Sequence, residues 1–247
     1  MQLADRIATW LKERVVEAGR DGIVLGLSGG IDSATVGALS GRAVGDKVLG
    51  LIMPCHSNPA DERDALTAAR SFDIKTQKVD LTPVYDALLA VFPTGSDLAR
   101  ANLKPRLRMI TLYYFANTLN YLVAGTGNKS EAMVGYFTKY GDGGVDVLPL
   151  GGLLKTQVRA LAAELGMPRE IIDRVPTAGL WEGQTDEGEL GITYQELDRS
   201  IQLVESGEAT RCNPKTLEML RVLYRASEHK RAPAQIFYAE EPKSFAV

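Results

Sequence analysis

The stretch Leu25-Gly26-Leu27-Ser28-Gly29-Gly30-Ile31-Asp32-Ser33-Ala34 follows an apolar run over residues 22–27 and opens an Ala- and Leu-rich segment over 34–39. That order predicts a strand, a tight glycine loop and a helix. Gly29 and Gly30 carry no side chain to block an anion, and both tolerate positive φ. The backbone N–H groups of such a loop, with a helix N-terminus behind it, form a site for phosphate oxygens. Ser28 and Ser33 add hydroxyls, and Asp32 sets a carboxylate beside the bound phosphates. That carboxylate would repel the ligand unless a cation such as Mg²⁺ lay between them. The bland alternative is an ordinary βα turn in which Asp32 caps the helix. The stretch is neither GxGxxG nor GxxxxGK[ST], which points away from Rossmann dehydrogenases and Walker-type NTPases.

Around this loop the chain reads as one domain over residues 1–247, with no linker, low-complexity stretch or internal repeat. A net charge of −3 argues against a nucleic-acid surface but leaves room for a local basic patch. No window is apolar enough for a membrane span, and the amphipathic start shows no signal-peptide core. Cys55 and Cys212 lie far apart and form no metal or redox motif. Reduced thiols and a cytoplasmic location are therefore expected.

Leu3, Ile7, Leu11 and Val15 predict a first helix over about 2–19. Strands are expected at about 22–28, 48–53, 76–81 and 121–126, with helices at about 32–42, 60–72 and 153–165. This alternation gives a parallel α/β sheet flanked by helices, whose ligands sit beyond the carboxyl ends of the strands. One long helix over about 97–120 carries two apolar faces: Leu103, Leu107, Ile110 and Tyr114 on one side, Leu112, Phe115 and Leu119 on the other. Two such faces need two covers, the sheet and either a second subunit or other parts of the monomer. Residues 93–102 and the glycine-rich, acidic stretch 180–192 read as mobile segments, the latter as a lid.

The Ser28–Ser33 loop resembles the SGGxDS loop of the ATP pyrophosphatases, which cleave ATP between the α- and β-phosphates. Further segments follow in order: Asn102–Met109 (NLKPRLRM), Gly125–Glu131 (GTGNKSE), Gly135–Gly143 (GYFTKYGDG), Asp146, Leu153-Leu154-Lys155, Pro176-Thr177-Ala178, Gly183–Glu187 (GQTDE) and His229-Lys230-Arg231. Together with the loop, this set closely resembles the ammonia-dependent NAD⁺ synthetases over nearly the whole chain. The resemblance implies a Rossmann-like fold of the adenine nucleotide alpha hydrolase type and a ligase acting on ATP, deamido-NAD⁺ and ammonia. It also implies Mg²⁺ and a homodimer.

By the same resemblance, Gly26, Leu27, Ser28, Gly29, Gly30, Ile31, Asp32, Ser33, Thr126, Lys155 and Thr177 would contact ATP. Asp32 and Glu131 would hold Mg²⁺. Arg106, Lys139, Asp146, His229 and Lys230 would bind deamido-NAD⁺, with Asp32, Lys155 and Asp142 closest to the chemistry. Taken singly, several of these have plainer readings: Glu131 as a first-turn glutamate favoured by the helix dipole, Lys155 as a solvated lysine, Arg106 as half of a surface ion pair, His229 as a solvated helix-end histidine. His56 fits either an adenine rim or a loop without a role, and Arg108 is expected to point away from the pocket. The rivals are another ATP pyrophosphatase, such as a GMP-synthetase-type amidating enzyme, and a non-catalytic nucleotide sensor. A sensor would not need both Asp32 and Glu131. No amidase motif for a built-in ammonia source is present, so free ammonia is the expected donor.

Overall fold

The computed structural model describes residues 2–181 and 183–239; residues 1, 182 and 240–247 of the expected domain lie outside the described residues. In chain order the elements are α1 (Leu3–Glu17), β1 (Gly22–Gly26), α2 (Ile31–Val44), β2 (Val48–Ile52), α3 (Pro59–Ser71), β3 (Lys75–Lys78), α4 (Thr82–Val91), α5 (Asp97–Ala101), α6 (Leu103–Leu119) and β4 (Tyr121–Val123). The second half is helical among its described residues: α7 (Lys129–Val134), α8 (Lys155–Glu164), α9 (Arg169–Ile172), α10 (Asp186–Leu190), α11 (Tyr194–Glu205), a 3₁₀ turn (Ala209–Arg211), α12 (Pro214–Ala226) and α13 (Glu228–Arg231).

The four strands form one parallel sheet in the order β3-β2-β1-β4. Side chains alternate across β1 as strand geometry requires. Ile23 and Leu25 join Leu11, Val36, Leu39, Val158 and Leu161 in one layer, formed with α1, α2 and α8. Val24 joins Tyr85, Leu107, Leu112 and Ala116 in the other, formed with α4 and α6. Both faces are covered, which is why β1 and β2 are apolar throughout. A smaller cluster of Val134, Leu154, Tyr194, Leu197, Ile201 and Leu220 packs α7, α11 and α12 together.

Connections leave β1 toward β2 on one side, whereas β4 lies on the other. The loops after β1 and after β4 therefore flank the point where strand order reverses, the usual position of a ligand crevice in such sheets. Residues 27–30 follow β1, and residues 124–128 follow β4 and lead into α7.

Two expectations are corrected here. The long helix over 97–120 is two helices, α5 and α6, with a turn at Asn102. Pro105 has no N–H to donate to the carbonyl of Ala101, so the ladder fails across that turn. Leu112 also lies on the sheet side and is buried, with Phe115 packed beside it. The outer face of α6 is instead the one carrying Ile110 and Tyr114, 59% and 67% exposed. The stretch 180–192 also differs from a simple loop: it contains α10, and its Gln184 and Asp186 are buried. No helix among the described residues is long and apolar enough to cross a membrane, and Cys55 and Cys212 are buried free thiols.

Candidate active site

A cavity of about 630 Å³ opens over the strand ends, within the size range of small-molecule sites. Its first wall is the loop after β1. Gly29 adopts φ +81°, and a Cβ there would lie 2.4 Å from the carbonyl oxygen of Asp61. No other residue fits that position without strain. The Ser33 hydroxyl donates to the Gly30 carbonyl at 2.9 Å and accepts from the Ser28 amide at 3.2 Å. The Ser28 hydroxyl accepts from the Gly30 amide at 3.3 Å. These bonds shape the loop from within. Gly30 is the N-cap of α2 and no side chain caps that helix. Its first-turn N–H groups, and the positive end of its dipole, remain available to an anion. Asp32 lies inside the helix, which sets aside the capping alternative.

The second wall starts at α7. Asn128, fully buried, accepts the Glu131 amide at 3.0 Å, while the Glu131 carboxylate accepts the Asn128 amide at 3.2 Å. This capping box is the plain first-turn role, and Glu131 fills it. The same side chain does more. Its other oxygen accepts from Lys155 Nζ at 3.3 Å, and Lys155 also donates to Asp32. Asn128 Nδ2 donates to the second oxygen of Asp32 at 3.1 Å. Two carboxylates, 99 positions apart in sequence, thus meet around one ammonium whose side chain is 3% exposed.

Lys155 opens α8, where a cation opposes the helix dipole. That N-terminus is capped from elsewhere: the Ser130 hydroxyl accepts the Lys155 amide at 2.9 Å, and Asp198 accepts the Thr156 amide at 2.8 Å. The lysine is therefore held by Asp32 and Glu131 rather than by its helix, and the flanking carboxylates raise its pKa despite burial. Burial pushes the Glu131 carboxyl up, with Lys155 opposing and Asp32 reinforcing the shift.

Gly26, Leu27, Ser28, Gly30, Ile31, Asp32, Ser33, Thr126, Glu131, Asp142, Lys155, Thr177 and Lys230 all border the cavity. Gly29 underlies it, its carbonyl accepting from Arg174 at 3.4 Å. Asp142 is exposed where it borders the cavity, and the protein packed around it pushes its carboxyl pKa up; it accepts the Thr138 amide at 2.9 Å. Lys230 donates to the carbonyls of Gly135 and Phe137 at 2.7 and 2.9 Å.

Arg106, Lys139, Asp146 and His229 do not border it. Arg106 donates to the Lys139 carbonyl at 3.4 Å, and Lys139 Nζ donates to the carbonyl of His229. Asp146 accepts from Tyr113 and from the Val123 amide at 2.9 and 2.8 Å. Arg106, Lys139 and His229 thus form a second cluster beside α6. His56 is also outside the cavity, its ring meeting Asp86 at 2.8 Å and the edge of Tyr85.

The cavity includes groups not expected there. Arg108, two positions from Arg106 and hence on the opposite side of α6, faces inward, donating to the Met53 carbonyl at 3.2 Å and reaching Ser57 at 3.4 Å. Behind the lining, buried Lys104 donates from Nζ to the carbonyl of Leu180, which does border the cavity, at 2.8 Å. Arg174 ties the segment after α9 to Asp61 and Asp64 of α3. Asp186 of the GQTDE segment is buried against Tyr194, whose hydroxyl donates to it at 2.9 Å. Paired arginines in an R-x-R spacing carried the signal for Arg108; a buried acid within an acidic run carries none.

Among the described residues, no three His, Cys, Asp or Glu side chains gather as a metal site. Asp32 and Glu131 nevertheless suit Mg²⁺, which takes one or two carboxylates and completes its shell with water and phosphate oxygens. The gap between them already accommodates a cation, the lysine ammonium.

A parallel sheet with an uncapped helix behind a serine-glycine loop, and with paired acids facing that loop, defines an α/β nucleotide-binding protein of the adenine nucleotide alpha hydrolase type. Comparison with known proteins narrows this: the NAD synthase family profile matches residues 3–234, and this chain belongs to that family. It is 48% identical over 232 residues to the NH₃-dependent NAD⁺ synthetase of Carboxydothermus hydrogenoformans, covering 92% of this chain and 93% of that one. Its fold is similar to the NMN synthetase of Francisella tularensis, with a TM-score of 0.88, 38% identity and coverage of 95% and 96%. It is also similar to the NH₃-dependent NAD synthetase of Campylobacter jejuni, with a TM-score of 0.84, 28% identity and coverage of 96% and 97%.

Proposed function

We propose that this chain is a C–N ligase that amidates deamido-NAD⁺ to NAD⁺ with ATP and ammonia. The observation that carries the reading is the convergence of Asp32 and Glu131, from opposite sides of the sheet's switch point, at the mouth of the Ser28–Ser33 loop. A nucleotide sensor needs the loop but not both acids. The nicotinate carboxylate is a poor electrophile. Its oxygen attacks the α-phosphorus of ATP, pyrophosphate leaves, and the resulting acyl adenylate is open to ammonia, which forms the C–N bond and expels AMP.

Loop amides and the α2 N-terminus hold the departing pyrophosphate. Lys155 supplies positive charge beside the α-phosphate region, and Thr126 and Thr177 line the nucleotide's path. Asp32 and Glu131 would hold Mg²⁺, which when bound neutralises triphosphate charge. Asp142, with its raised pKa and open side toward the cavity, suits the proton left by the incoming nitrogen. Lys230 holds the Gly135–Phe137 backbone that shapes this end of the cavity.

Arg106, Lys139, Asp146 and the His229-Lys230 pair belong to the deamido-NAD⁺ half of the site. Arg106, Lys139 and His229 are linked by hydrogen bonds, and Arg106 lies one helical turn before the exposed Ile110 of α6. That proximity supports a dinucleotide pocket completed by a second copy of the chain, hence a homodimer. A single domain is supported by the one continuous family match. Reduced buried thiols and the absence of a spanning helix among the described residues suit the cytoplasm.

The test is NAD⁺ formation with ATP, Mg²⁺ and deamido-NAD⁺, comparing ammonium with glutamine and, separately, nicotinate mononucleotide as acceptor. Product is expected with ammonium and the dinucleotide. Preference for the mononucleotide would reassign the substrate, and pyrophosphate release without any acceptor would overturn the ligase reading.

A further inference from the structure

In the free enzyme the ammonium of Lys155 fills the space between Asp32 and Glu131, the two side chains proposed to hold the metal. A divalent cation entering there must displace it, since the two positive charges cannot share the gap. The side chain is 3% exposed, so the displaced ammonium cannot simply turn into bulk water. It needs an acceptor inside the wall.

Four buried side-chain atoms lack a hydrogen-bond partner among the described residues: Arg14 Nε, Ser40 Oγ, Arg159 Nε and Asp186 Oδ1. Only Asp186 both accepts and borders the cavity. It is 4% exposed. Its other oxygen takes the Tyr194 hydroxyl at 2.9 Å, and Lys155 Nζ lies 5.1 Å from the centre of the Tyr194 ring. Tyr194 therefore adjoins both donor and acceptor, and its ring face gives the ammonium an attractive surface beside Asp186. Lysine's four-carbon stem has the freedom to make that move.

We propose that Asp186 is a positioning residue for Lys155: in the enzyme without ATP, its free oxygen receives the lysine ammonium when a divalent cation takes Asp32 and Glu131. The role rests on the assignment of the metal to these two acids but not on the identity of the organic substrate. It explains why a carboxylate is buried with one oxygen unsatisfied, a state that costs free energy unless a donor arrives. It also makes Lys155 a competitor of the metal in the absence of ATP.

The experiment is Mn²⁺ titration of the ATP-free enzyme, followed by electron paramagnetic resonance, for the parent, Lys155→Met, Asp186→Asn and the double variant. Asparagine keeps an oxygen for the Tyr194 hydroxyl; if it does not fold, Asp186→Ser replaces it. Lys155→Met should tighten Mn²⁺ binding, and Asp186→Asn should weaken it in the parent, each by about tenfold or more, the range of a charge-assisted hydrogen bond. On the Lys155→Met background, Asp186→Asn should change Mn²⁺ affinity less than about twofold, because no ammonium remains to be received. Looser or unchanged binding in Lys155→Met would overturn the competition. An equal loss from Asp186→Asn in both backgrounds would mean that Asp186 acts directly on the metal or on the fold, and would overturn the positioning role. Neither result would bear on whether the enzyme makes NAD⁺, which the product assay decides.

Discussion

Glu131 serves two masters, a helix cap and the cation site, and the two are separable. Glutamine fits a capping box as well as glutamate does, so Glu131→Gln should keep the fold while kcat collapses, as it should in Asp32→Asn. Near-parental turnover at saturating Mg²⁺ would refute the pairing. The same variant has a second signature. The folded-state pKa of Glu131 is raised from 4.5 to about 7, so the folded protein holds more protons than the unfolded chain in that window. Stability of the ATP-free enzyme should therefore fall as pH rises from about 4.5 to about 7, and thermal melts of Glu131→Gln should show a shallower slope. Asp142 and Asp186 shift in the same direction, so only the difference between the two proteins reports on Glu131. Lys155 entered the site only through the family resemblance; read singly, it is a solvated lysine whose place at a helix start hints at an anionic partner. The partners proved to be two acids of the protein itself. Asp186 was not legible, because nothing in an acidic run says which carboxylate will be walled in.

Helix α6 shows where periodicity suffices and where it fails. The apolar spacing correctly marks it as a helix with two apolar faces, but it does not say which face meets the sheet. Pro105 ends the register from α5 and turns Leu107, Leu112 and Ala116 inward. Arg106 and Arg108 then fall on opposite sides, one to the exposed cluster and one to the cavity. Leu112→Asp should therefore unfold or strongly destabilise the protein, by about 3 kcal/mol or more, through a buried charge. Ile110→Asp should leave the melting temperature nearly unchanged but dissociate a dimer built on this face. Sedimentation of both variants distinguishes the two faces; a folded Leu112→Asp monomer would put the subunit contact on the Leu112 face instead.

At the scale of the whole molecule, we propose that the cavity serves the nucleotide and the Arg106–Lys139–His229 cluster the acceptor. Charge-assisted hydrogen bonds contribute roughly 1.5–3 kcal/mol, so Arg106→Ala and Lys139→Ala should each raise the KM for deamido-NAD⁺ about 10- to 150-fold. The KM for ATP should move far less, since the loop after β1 holds it independently. Equal effects on both constants would mean that the cluster supports the fold rather than the acceptor. The parallel sheet and the loop were readable from alternating strands and helices and from Gly-Gly spacing; the strand order β3-β2-β1-β4 was not. The route by which the last helices return to the cavity was not, because Lys230 reaches the carbonyls of Gly135 and Phe137 across more than ninety intervening positions.

That return has a bearing on biosynthesis. Gly135 turns with φ +68°, and a Cβ there would lie 2.0 Å from the Cβ of Ser227, so the junction of α12 and α13 seats directly on the turn after α7. During translation the loop after β1, and both acids, emerge long before this junction exists. The wall that Lys230 pins is therefore delivered only near the end of synthesis, after all four strands. A chain cut short before residue 227 would carry the loop and both acids but none of the contacts by which this junction closes that side of the cavity.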